Sequence, residues 1–455
     1  MLPKEGALDL RIILLCGGSG KRLWPLSNEV RSKVFLKLLQ SGDGTRESMI
    51  QRICRQLDEV GLLPHTCIVT HHSQVEITRN HVGEHIPIIE EPFKRGTFTA
   101  VALAATYLHE KLQVDSNETV VILPVDTYAD PLFFQMLCRF PDVLLRSKAD
   151  LALLGTQPDH PSNQFGYIVP ILPQENEDYA FVRQFVEKPD KQMASRLMDQ
   201  QAFWNCGVFA FPLKFMLQYL KDKGHPTQVE AWLTSYKQLA ETSFDREVAE
   251  HTQSVVVLGY EGLWNDLGSW PALIDQFEDK VIGSGRISDD SVNTHLVNEL
   301  PYPIEVICVP DIIVAASTDG ILIAKKEKAN LIKESLAQVP RMPMYGEKSW
   351  GSYRVLDYWK DEQGNETMIK KVQMTKGTNT SYHLHFNRQE VVTILSGNAE
   401  ILMDDKLYML LAGDVLQIPA GVKHGIKAST NLELMEVLLG NELDKEDITY
   451  FANNW

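Results

Sequence analysis

The amino-acid sequence predicts an α/β protein that continues into two C-terminal β segments. Up to about residue 270, short apolar runs such as 12–15 and 120–123 alternate with amphipathic segments such as 99–111. This alternation is typical of a mixed, mostly parallel sheet with helices on both faces. Beyond it the runs are short, β-like and punctuated by turn residues. We therefore expect an α/β domain over residues 1–275, a small β connector over 276–340 and an all-β barrel over 341–455.

Composition and charge exclude several classes of partner. The 455 residues carry 60 acidic against 44 basic side chains, a formal net charge of −16, whereas nucleic-acid phosphates require basic surfaces. No apolar run approaches the length of a membrane span, and the N-terminus lacks an apolar signal core. We therefore expect a cytoplasmic protein without a nucleic-acid or membrane partner. Six cysteines without CxxC spacing predict reduced thiols, most of them in the core.

A glycine-rich loop follows the first predicted strand. The segment 14–33 reads LLCGGSGKRLWPLSNEVRSK and places three glycines directly behind an apolar run: Gly17, Gly18 and Gly20. Such loops let backbone N–H groups approach a phosphate, and the cations Arg22 and Lys33 can neutralise a triphosphate. Glycine spacing alone would fit a tight turn equally well, so the interpretation depends on the rest of the chain.

The loop resembles the signature loop of mannose-1-phosphate guanylyltransferases, within the sugar-nucleotide pyrophosphorylase superfamily. Further segments fit this family in order and spacing across about 270 residues: EEPFKRGTFTAVALAA (90–105), ILPVD (122–126), FGYIVP (165–170), FVEKPD (185–190), FWNCGVFAF (203–211) and GLWNDLGSW (262–270). The resemblance implies a Rossmann-like nucleotidyltransferase domain. Its reaction would form GDP-mannose, or a related nucleoside-diphosphate sugar, and pyrophosphate from mannose 1-phosphate and GTP.

The resemblance also implies roles for individual residues. Asp126 and Asp266, each expected at a strand end, would bind Mg²⁺, a hard ion that suits carboxylate oxygens. Lys188 would hold the sugar phosphate, with Glu187 and Asn205 on sugar hydroxyls. The other implied ligand-binding residues are Gly17, Gly18, Gly20, Arg22, Lys33, Glu91 and Arg95 for the nucleotide and Gly166 for the sugar phosphate. Arg22 and Lys33 complete the catalytic set with the two aspartates. Taken singly, Asp126 would also fit a turn cap and Lys188 a solvated surface residue.

Several departures from the family pattern lie near the expected base and sugar sites. The family's EPxGRNTAPA appears as EPFKRGTFTA, with Gly96 and Thr99 in place of Asn and Pro. The Asp-His after the strand is Asp126-Thr127, and the Pro before the loop lysine is Ser32. The identities of the nucleotide and hexose are therefore less firmly predicted than the reaction type.

Two motifs in the C-terminal segment resemble those of cupin barrels. Residues 377–397 read G-x5-H-x-H-x4-E-x6-G, and residues 413–424 read G-x5-P-x-G-x2-H. Side chains two apart on a strand share a face, so His383 and His385 point together and can be joined by Glu390 and His424. Three imidazoles and a carboxylate suit Zn²⁺, Fe²⁺ or Mn²⁺. A cupin that binds no metal and keeps only the barrel and its turn glycines is the alternative.

A cupin after a guanylyltransferase domain resembles the phosphomannose isomerase half of bifunctional enzymes. Isomerisation of mannose 6-phosphate needs a metal to polarise the sugar oxygens and a base to move one proton. Arg388 of the family pattern is kept, but Tyr450 stands where the family has an arginine. A sugar 6-phosphate would therefore lose an expected cation.

Three functions remain as hypotheses at this stage. The leading one is an Mg²⁺-dependent nucleotidyltransferase that acts on small-molecule substrates as a homo-oligomer. The second is a bifunctional enzyme that also interconverts mannose 6-phosphate and fructose 6-phosphate in its cupin. The third is a non-catalytic sugar-nucleotide-binding protein, against which the retention of Arg22, Lys33, Asp126 and Asp266 argues.

Overall fold

A computed structural model describes residues 9–18, 21–171, 177–336, 342–441, 443, 447–452 and 455. The chain forms two compact units: Met1–Gly18 with Lys37–Gln276, and Ser19–Leu36 with Phe277–Trp455. The short segment Ser19–Leu36 thus packs with the C-terminal part of the chain, which no sequence pattern had indicated. The predicted boundaries at 275/276 and 340/341 stay a prediction.

The strands of the first unit are short and mostly buried. They are β1 (Leu10–Leu15), β2 (Leu39–Gln40), β3 (Arg46–Glu47), β4 (Thr66–His71), β5 (Ile88–Glu91), β6 (Thr119–Pro124), β7 (Thr127–Ala129), β8 (Leu151–Thr156), β9 (Tyr167–Pro170), β10 (Ala180–Val186), β11 (Phe203–Pro212), β12 (Val255–Tyr260) and β13 (Trp264–Asp266).

Most of these strands join one mixed sheet in the order β5-β4-β1-β6-β11-β8-β12-β10-β9. The pairs β5–β4, β4–β1, β1–β6 and β8–β12 are parallel. β11 runs antiparallel to both β6 and β8, and its register with β8 shifts between Asn205 and Phe209. The carboxyl ends of β1, β4, β5 and β6 therefore lie at one edge, where ligands of such sheets bind.

Helices cover the sheet of the first unit. They are α1 (Met49–Glu59), α2 (Val75–Val82), α3 (Thr97–Glu110), α4 (Pro131–Leu137), α5 (Phe140–Ser147), α6 (Lys191–Asp199), α7 (Leu213–Asp222), α8 (Val229–Ser235) and α9 (Trp270–Ile274).

Local sequence explains where these helices begin and how they pack. Ser48 and Gln51 form a capping box before α1, and Asp130 caps α4 through two backbone N–H groups. The core under α3 includes the fully buried side chains of Val101, Phe211 and Trp232. Each such side chain contributes about 2 kcal/mol through burial. This core fixes the sheet whose edge carries the predicted site.

Two small strand sets and a short helix make up the connector of the second unit. The strands are β14 (Val281–Gly283), β15 (Gly285–Ile287), β16 (His295–Asn298), β17 (Ile304–Val306), β18 (Ile312–Ser317) and β19 (Gly320–Lys325), followed by α10 (Ile332–Leu336). β14, β16 and β18 pair in parallel, as do β15 and β17. Successive strands therefore alternate between the sheet of β14, β16 and β18 and the sheet of β15 and β17. β19 pairs antiparallel with β18 and forms the edge of the larger sheet.

The remaining strands form two antiparallel sheets. They are β20 (Tyr345–Lys348), β21 (Gly351–Lys360), β22 (Glu366–Met374), β23 (Tyr382–Leu384), β24 (Arg388–Ser396), β25 (Ala399–Met403), β26 (Lys406–Leu410), β27 (Val415–Ile418), β28 (His424–Ala428), β29 (Leu432–Gly440) and β30 (Thr449–Ala452).

The two sheets share one apolar core. Their strand orders are β20-β21-β22-β29-β24-β27 and β26-β25-β28-β23-β30. Val392 and Leu434 of the first sheet pack in the same cluster as Ile401 and Ile426 of the second. This arrangement agrees with the predicted cupin barrel.

Two further findings concern the whole described chain. None of the helices in the residues that the structure describes is long and apolar enough to cross a bilayer. The six cysteines, all within those residues, are unpaired thiols, and Cys16, Cys54, Cys67 and Cys206 are buried.

Candidate functional site

The glycine loop lies beside a buried carboxyl group at the edge of the large sheet. Gly17 and Gly18 follow β1, and a Cβ placed on Gly17 would lie 3.5 Å from Oε2 of Glu91, which ends β5. A Cβ on Gly18 would meet nothing within 4 Å, so ligand atoms have room beside this backbone. Gly20 lies outside the described residues. Gly17, Gly18 and Glu91 therefore share one edge, as a nucleotide site requires.

Glu91 is an unusually basic carboxylate. Burial raises the pKa of Glu91 to about 7, although the Tyr236 hydroxyl donates a hydrogen bond to its Oε1 and Lys94 adds a positive charge. At neutral pH both protonation states are therefore populated. Such a group can accept a hydrogen bond from a ligand or donate one to it.

The loop after β5 is tied to residues near position 240. The Arg95 guanidinium donates to the Lys237 carbonyl, and the Arg95 carbonyl accepts from Thr242 N–H at 3.2 Å. Gly96 has φ +84°, and a Cβ there would overlap the Thr242 carbonyl oxygen. Only glycine fits this position without strain, so the loop in this chain requires Gly96.

The two predicted metal-binding aspartates lie on neighbouring backbones. β7 and β13 pair antiparallel with Thr127 opposite Asp266, and Leu267 N–H donates to the Asp126 carbonyl at 3.0 Å. Asp126 is therefore next to Thr127, the strand partner of Asp266, and Asp266 is next to Leu267, which is hydrogen-bonded to Asp126. A Cβ on Gly268 would lie 2.9 Å from Oδ1 of Asp266, so glycine leaves room for that carboxylate.

Asp126 also lies near the start of the glycine loop. Burial raises the pKa of the Cys16 thiol to about 12, and the negative charge of Asp126 adds to this effect. Val125 N–H donates to the Leu15 carbonyl at 3.4 Å. The first unit thus brings Gly17, Glu91, Asp126 and Asp266 to one edge.

The residues predicted for the sugar phosphate form a second cluster at the same edge. Asn205 N–H donates to the Gly166 carbonyl at 2.8 Å. A Cβ on Gly166 would lie 2.7 Å from Oε2 of Glu187, and Lys188 forms an ion pair with Oε1 of Glu187. Gly207, on the same strand as Asn205, lies against Pro124 at the end of β6. This cluster is therefore a neighbour of the strand end that carries Asp126.

Two acidic residues in this cluster were not predicted. The Asn205 side-chain amide donates to Oδ1 of Asp245 at 3.1 Å, and Glu187 N–H donates to Oε1 of Glu250 at 3.1 Å. Burial raises the pKa of Asp245, and the negative charge of Glu187 raises it further. Asp245 opens a π-helical turn, Asp245–Ala249, and turns of this kind are frequent at functional sites. No periodic pattern in the sequence marks so short an element.

The two predicted phosphate-binding cations belong to the second unit. Arg22 lies in the 3-10 helix Lys21–Leu23 and is exposed. Lys33 begins the 3-10 helix Lys33–Phe35, directly after Ser32. Their convergence with Asp126 and Asp266 stays a prediction.

The second unit brings the four predicted cupin ligands together. His383 on β23 lies opposite His424 on β28, and the ligand atoms of His383, His385 and His424 all lie within 4.8 Å of one another. An oxygen of Glu390 on β24 lies 3.3 Å from Nε2 of His385, and the other lies 3.2 Å from Nε2 of His424.

Hydrogen bonds orient the three imidazoles. Nδ1 of His383 lies 2.7 Å from the Ser381 carbonyl, Nδ1 of His424 lies 3.0 Å from the Val422 carbonyl, and Nδ1 of His385 bonds to the Asp447 carbonyl. A carbonyl only accepts hydrogen bonds, so each Nδ1 carries a proton, and the Nε2 of each ring has a lone pair for a metal whenever that ring is neutral. Backbone anchoring of this kind is typical of metal-binding histidines.

The charges around Glu390 suit the same chemistry. Burial alone would raise the pKa of Glu390, but its hydrogen bond to His424 and the charges of His424 and Arg388 hold the pKa below its usual value. Burial, with His424 nearby, lowers the pKa of His383 to about 4. Burial would lower the pKa of His424, but the hydrogen bond and charge of Glu390 outweigh burial and raise that pKa. A metal binds an ionised carboxylate and neutral imidazoles, so it would displace the Nε2 proton of His424. Arg388 Nη2 also contacts His385 Nε2 at 2.7 Å, so a metal would compete with this guanidinium.

Tyr450 lies at the rim of the cupin cluster. It is the strand partner of His383, their ring centroids are 6.3 Å apart, and its side chain is exposed. The position where the sequence lacks the family's arginine is therefore next to the histidines. A neutral phenol there offers no charge to a sugar phosphate.

Comparison with known proteins matches the two parts of the chain in which the candidate sites lie. A family model described as "Nucleotidyl transferase" matches residues 11–281, and one described as "Mannose-6-phosphate isomerase C-terminal" matches residues 341–453. The first covers the edge with the aspartates, and the second covers the cupin cluster. The predicted resemblance and fold class are confirmed by these matches.

Relatives of known name extend along nearly the whole chain. The xanthan biosynthesis protein XanB of Xanthomonas campestris pv. campestris (strain B100) is 27% identical over 486 residues, covering 98% of this chain and 99% of that protein. Mannose-1-phosphate guanylyltransferase 2 of Escherichia coli O157:H7 is 26% identical over 480 residues, covering 96% of each.

A solved structure resembles the larger part of the chain. It is a crystal structure whose protein is called mannose-1-phosphate geranyltransferase, from Thermus thermophilus, with a TM-score of 0.60 and 26% sequence identity, covering 72% of this chain and 99% of that one. The family match spans more than half of the residues, and the chain belongs to the nucleotidyl transferase family.

Proposed function

We propose that this protein transfers a guanylyl group from GTP to mannose 1-phosphate, forming GDP-mannose and pyrophosphate. The observation that carries the proposal is the pairing of β7 with β13, which places Asp126 beside Asp266 at the edge that holds Gly17. The guanine base and the mannose are taken from the names of the relatives. Arg22, Lys33, Asp126 and Asp266 are our candidates for the phosphate-handling groups that such a reaction needs.

The reaction moves one phosphoryl centre between two oxygens. A phosphate oxygen of mannose 1-phosphate attacks the α-phosphorus of GTP, a new P–O bond forms, and the bond from the α-phosphorus to the bridging oxygen breaks. Pyrophosphate leaves with that oxygen. Catalysis of such transfers consists mainly of positioning and charge neutralisation.

Asp126 and Asp266 would hold a divalent ion, with Mg²⁺ as our proposal. The two aspartates lie on neighbouring backbones, and Gly268 leaves space beside Asp266. They would suit an ion that takes one or two protein carboxylates and keeps waters and phosphates as its other ligands. Bound there, the ion would neutralise phosphate charge in the transition state.

The remaining residues would orient the two substrates. The Asn205 side chain is held by Asp245, and the Glu187 carboxylate is held by its ion pair with Lys188. These polar groups would contact sugar hydroxyls, and Lys188 would lie near the phosphate. Glu91 and Arg95 would lie on the nucleotide side with Gly17 and Gly18. We further propose that Arg22 and Lys33 bind the triphosphate.

A matrix of substrates tests this proposal. Purified protein with Mg²⁺ is offered each common nucleoside triphosphate with several sugar 1-phosphates, and pyrophosphate release is measured. We expect GTP with mannose 1-phosphate to exceed every other pair in kcat/KM. A better pair of another base or sugar would replace the substrate assignment, and no release from any pair would leave the non-catalytic binding protein as the function.

The cupin cluster favours a second candidate function, isomerisation of mannose 6-phosphate and fructose 6-phosphate. Three oriented imidazoles and Glu390 would hold a divalent metal such as Zn²⁺, Fe²⁺ or Mn²⁺. Tyr450 at the rim offers no cation to the 6-phosphate. We therefore propose a metal-binding cupin first, and isomerase activity as its second, separately tested property.

Metal content tests the cupin cluster directly. We expect the purified protein to hold about one divalent ion per chain at this site, because the ligand set is complete. His424→Ala should lose roughly 100-fold or more in metal affinity, measured by equilibrium dialysis and mass spectrometry. His251→Ala, which removes an exposed histidine of the first unit, is the matched control.

The outcomes separate three possibilities for the cupin. Equal metal affinity in His424→Ala and the control would contradict the assigned ligand set. Bound metal without interconversion of the two hexose 6-phosphates would contradict isomerase activity alone.

Location and assembly are further proposals. We propose a cytoplasmic location, because nucleotide-sugar synthesis suits the cytoplasm. We also propose a homo-oligomer, which light scattering tests.

A further inference from the structure

The connector holds the segment that carries both predicted phosphate-binding cations. We name residues 21–36 the cation segment, because Arg22 and Lys33 lie in it. We propose that Glu299, Asp319 and Gly320 of the connector are positioning residues for nucleotide binding, acting through this segment. The inference rests on the proposed function, since it takes Arg22 and Lys33 as ligands of the triphosphate.

An ion pair holds the C-terminal half of the cation segment. Arg31 Nη1 and Nη2 donate to the two carboxylate oxygens of Glu299 at 2.9 and 2.8 Å. The side chains of Arg31 and Glu299 are only 11% and 24% exposed, and the Arg31 guanidinium lies 4.7 Å from the ring centroid of Tyr345. A bidentate, largely buried pair has a defined geometry, unlike most surface pairs.

Asn28 adds a second attachment in the same turn. Its side-chain amide donates to Asp319 Oδ2 and to the Tyr345 carbonyl, both at 3.1 Å. Its side-chain oxygen accepts from the N–H groups of Val30 and Arg31 at 3.0 and 2.7 Å. The same side chain therefore shapes the turn and ties it to the connector.

A third attachment holds the N-terminal half of the segment. The Ser317 hydroxyl donates to the Pro25 carbonyl at 2.6 Å. Gly320 has φ +146°, and a Cβ there would lie 2.5 Å from the Trp24 ring. The indole of Trp24, which is 9% exposed, therefore packs on a position that admits only glycine.

Each cation is within three residues of an attachment. Arg22 precedes Trp24 and Pro25, and the turn 23–26 is closed by a hydrogen bond from Leu26 N–H to the Leu23 carbonyl at 3.0 Å. Lys33 follows Arg31 by two residues and is the first residue of the 3-10 helix Lys33–Phe35. A shift at either attachment is therefore passed along a short, hydrogen-bonded stretch of backbone to a cation, and misplacement of about 1 Å costs roughly 100-fold in rate.

The test compares two charge-removing variants of the connector. Glu299→Gln weakens the buried pair with Arg31. Glu305→Gln removes the acid of the Arg286–Glu305 pair, whose side chains are 83% and 46% exposed, and is the matched control. We expect Glu299→Gln to raise KM for GTP so that kcat/KM for GTP falls roughly 10- to 100-fold, with KM for mannose 1-phosphate within about twofold of wild type. Glu305→Gln should match wild type.

A charge exchange and a steric variant supply independent readouts. Arg31→Glu combined with Glu299→Arg should recover a large part of the activity lost by Arg31→Glu alone. Gly320→Ala should raise KM for GTP by pressing on Trp24. Thermal unfolding of each variant is measured alongside.

Each outcome bears on the inference. Kinetics of Glu299→Gln equal to those of wild type would overturn it, and so would equal losses for GTP and mannose 1-phosphate together with a lower Tm, since that pattern marks a general loss of folding. A wild-type protein that is inactive on every substrate pair would overturn the proposed function and this inference with it. If the wild-type protein is active and the kinetics of Glu299→Gln are unchanged, the inference is wrong but the proposed function stands.

Discussion

Asp126→Ala and Asp266→Ala are each expected to lower kcat for nucleotidyl transfer roughly 1,000-fold. Asp126 directly precedes β7, and Asp266 ends β13, the strand that pairs with β7, so the two residues lie on neighbouring backbones. If both hold the proposed ion, removing either would leave phosphate charge uncompensated at the reacting centre. Pyrophosphate release at saturating GTP, mannose 1-phosphate and Mg²⁺ measures the effect.

The control for these variants is an exposed acid of the same unit. Asp222 ends α7 and accepts a hydrogen bond from Gln218 at its surface, so Asp222→Ala should keep the wild-type kcat. The Tm of all three variants is compared, because a loss of folding would also lower the rate. Near-normal kcat in Asp126→Ala would contradict the metal assignment.

Lys33→Ala is expected to lower kcat/KM for GTP roughly 100-fold or more. A lysine ammonium near the triphosphate neutralises charge that increases as pyrophosphate leaves. KM for mannose 1-phosphate should change little, because the sugar cluster around Asn205 and Glu187 is built from other strands. Initial rates over a grid of both substrates separate the two effects.

A nearby lysine provides the comparison for Lys33. Lys37 is exposed and belongs to the first unit, and Lys37→Ala should leave both KM values near those of wild type. Lys33→Arg keeps the charge and should recover part of the loss. Equal kinetics for Lys33→Ala and Lys37→Ala would refute the assigned role.

The sequence predicted candidate site residues but not the elements that bring them together. Asp126 and Asp266 were proposed from the resemblance to a family. The contact that brings them together depends on β7 and β13, each three residues long, and three residues carry no readable period. Gly166, Glu187 and Asn205 were likewise predicted as a group, and the structure brings them together at one edge.

Other features had no signal in the sequence. The apolar run of β11 is buried on both faces of the sheet. A continuous apolar run does not indicate the direction of a strand relative to its neighbours, so the antiparallel pairing of β11 with β6 was not predictable. Asp245 lies in a turn of five residues, and its function depends on partners far away in the chain. The ion pair of Arg31 with Glu299 is equally non-local.

The central claim is that Asp126 and Asp266 serve one metal ion. A double-mutant cycle of Asp126→Ala and Asp266→Ala, scored by kcat/KM at fixed Mg²⁺, measures this directly. If both carboxylates hold one ion, the double variant should lose about as much as either single variant, because the first substitution already removes the ion. Losses that multiply, each residue contributing its full factor independently, would contradict the account.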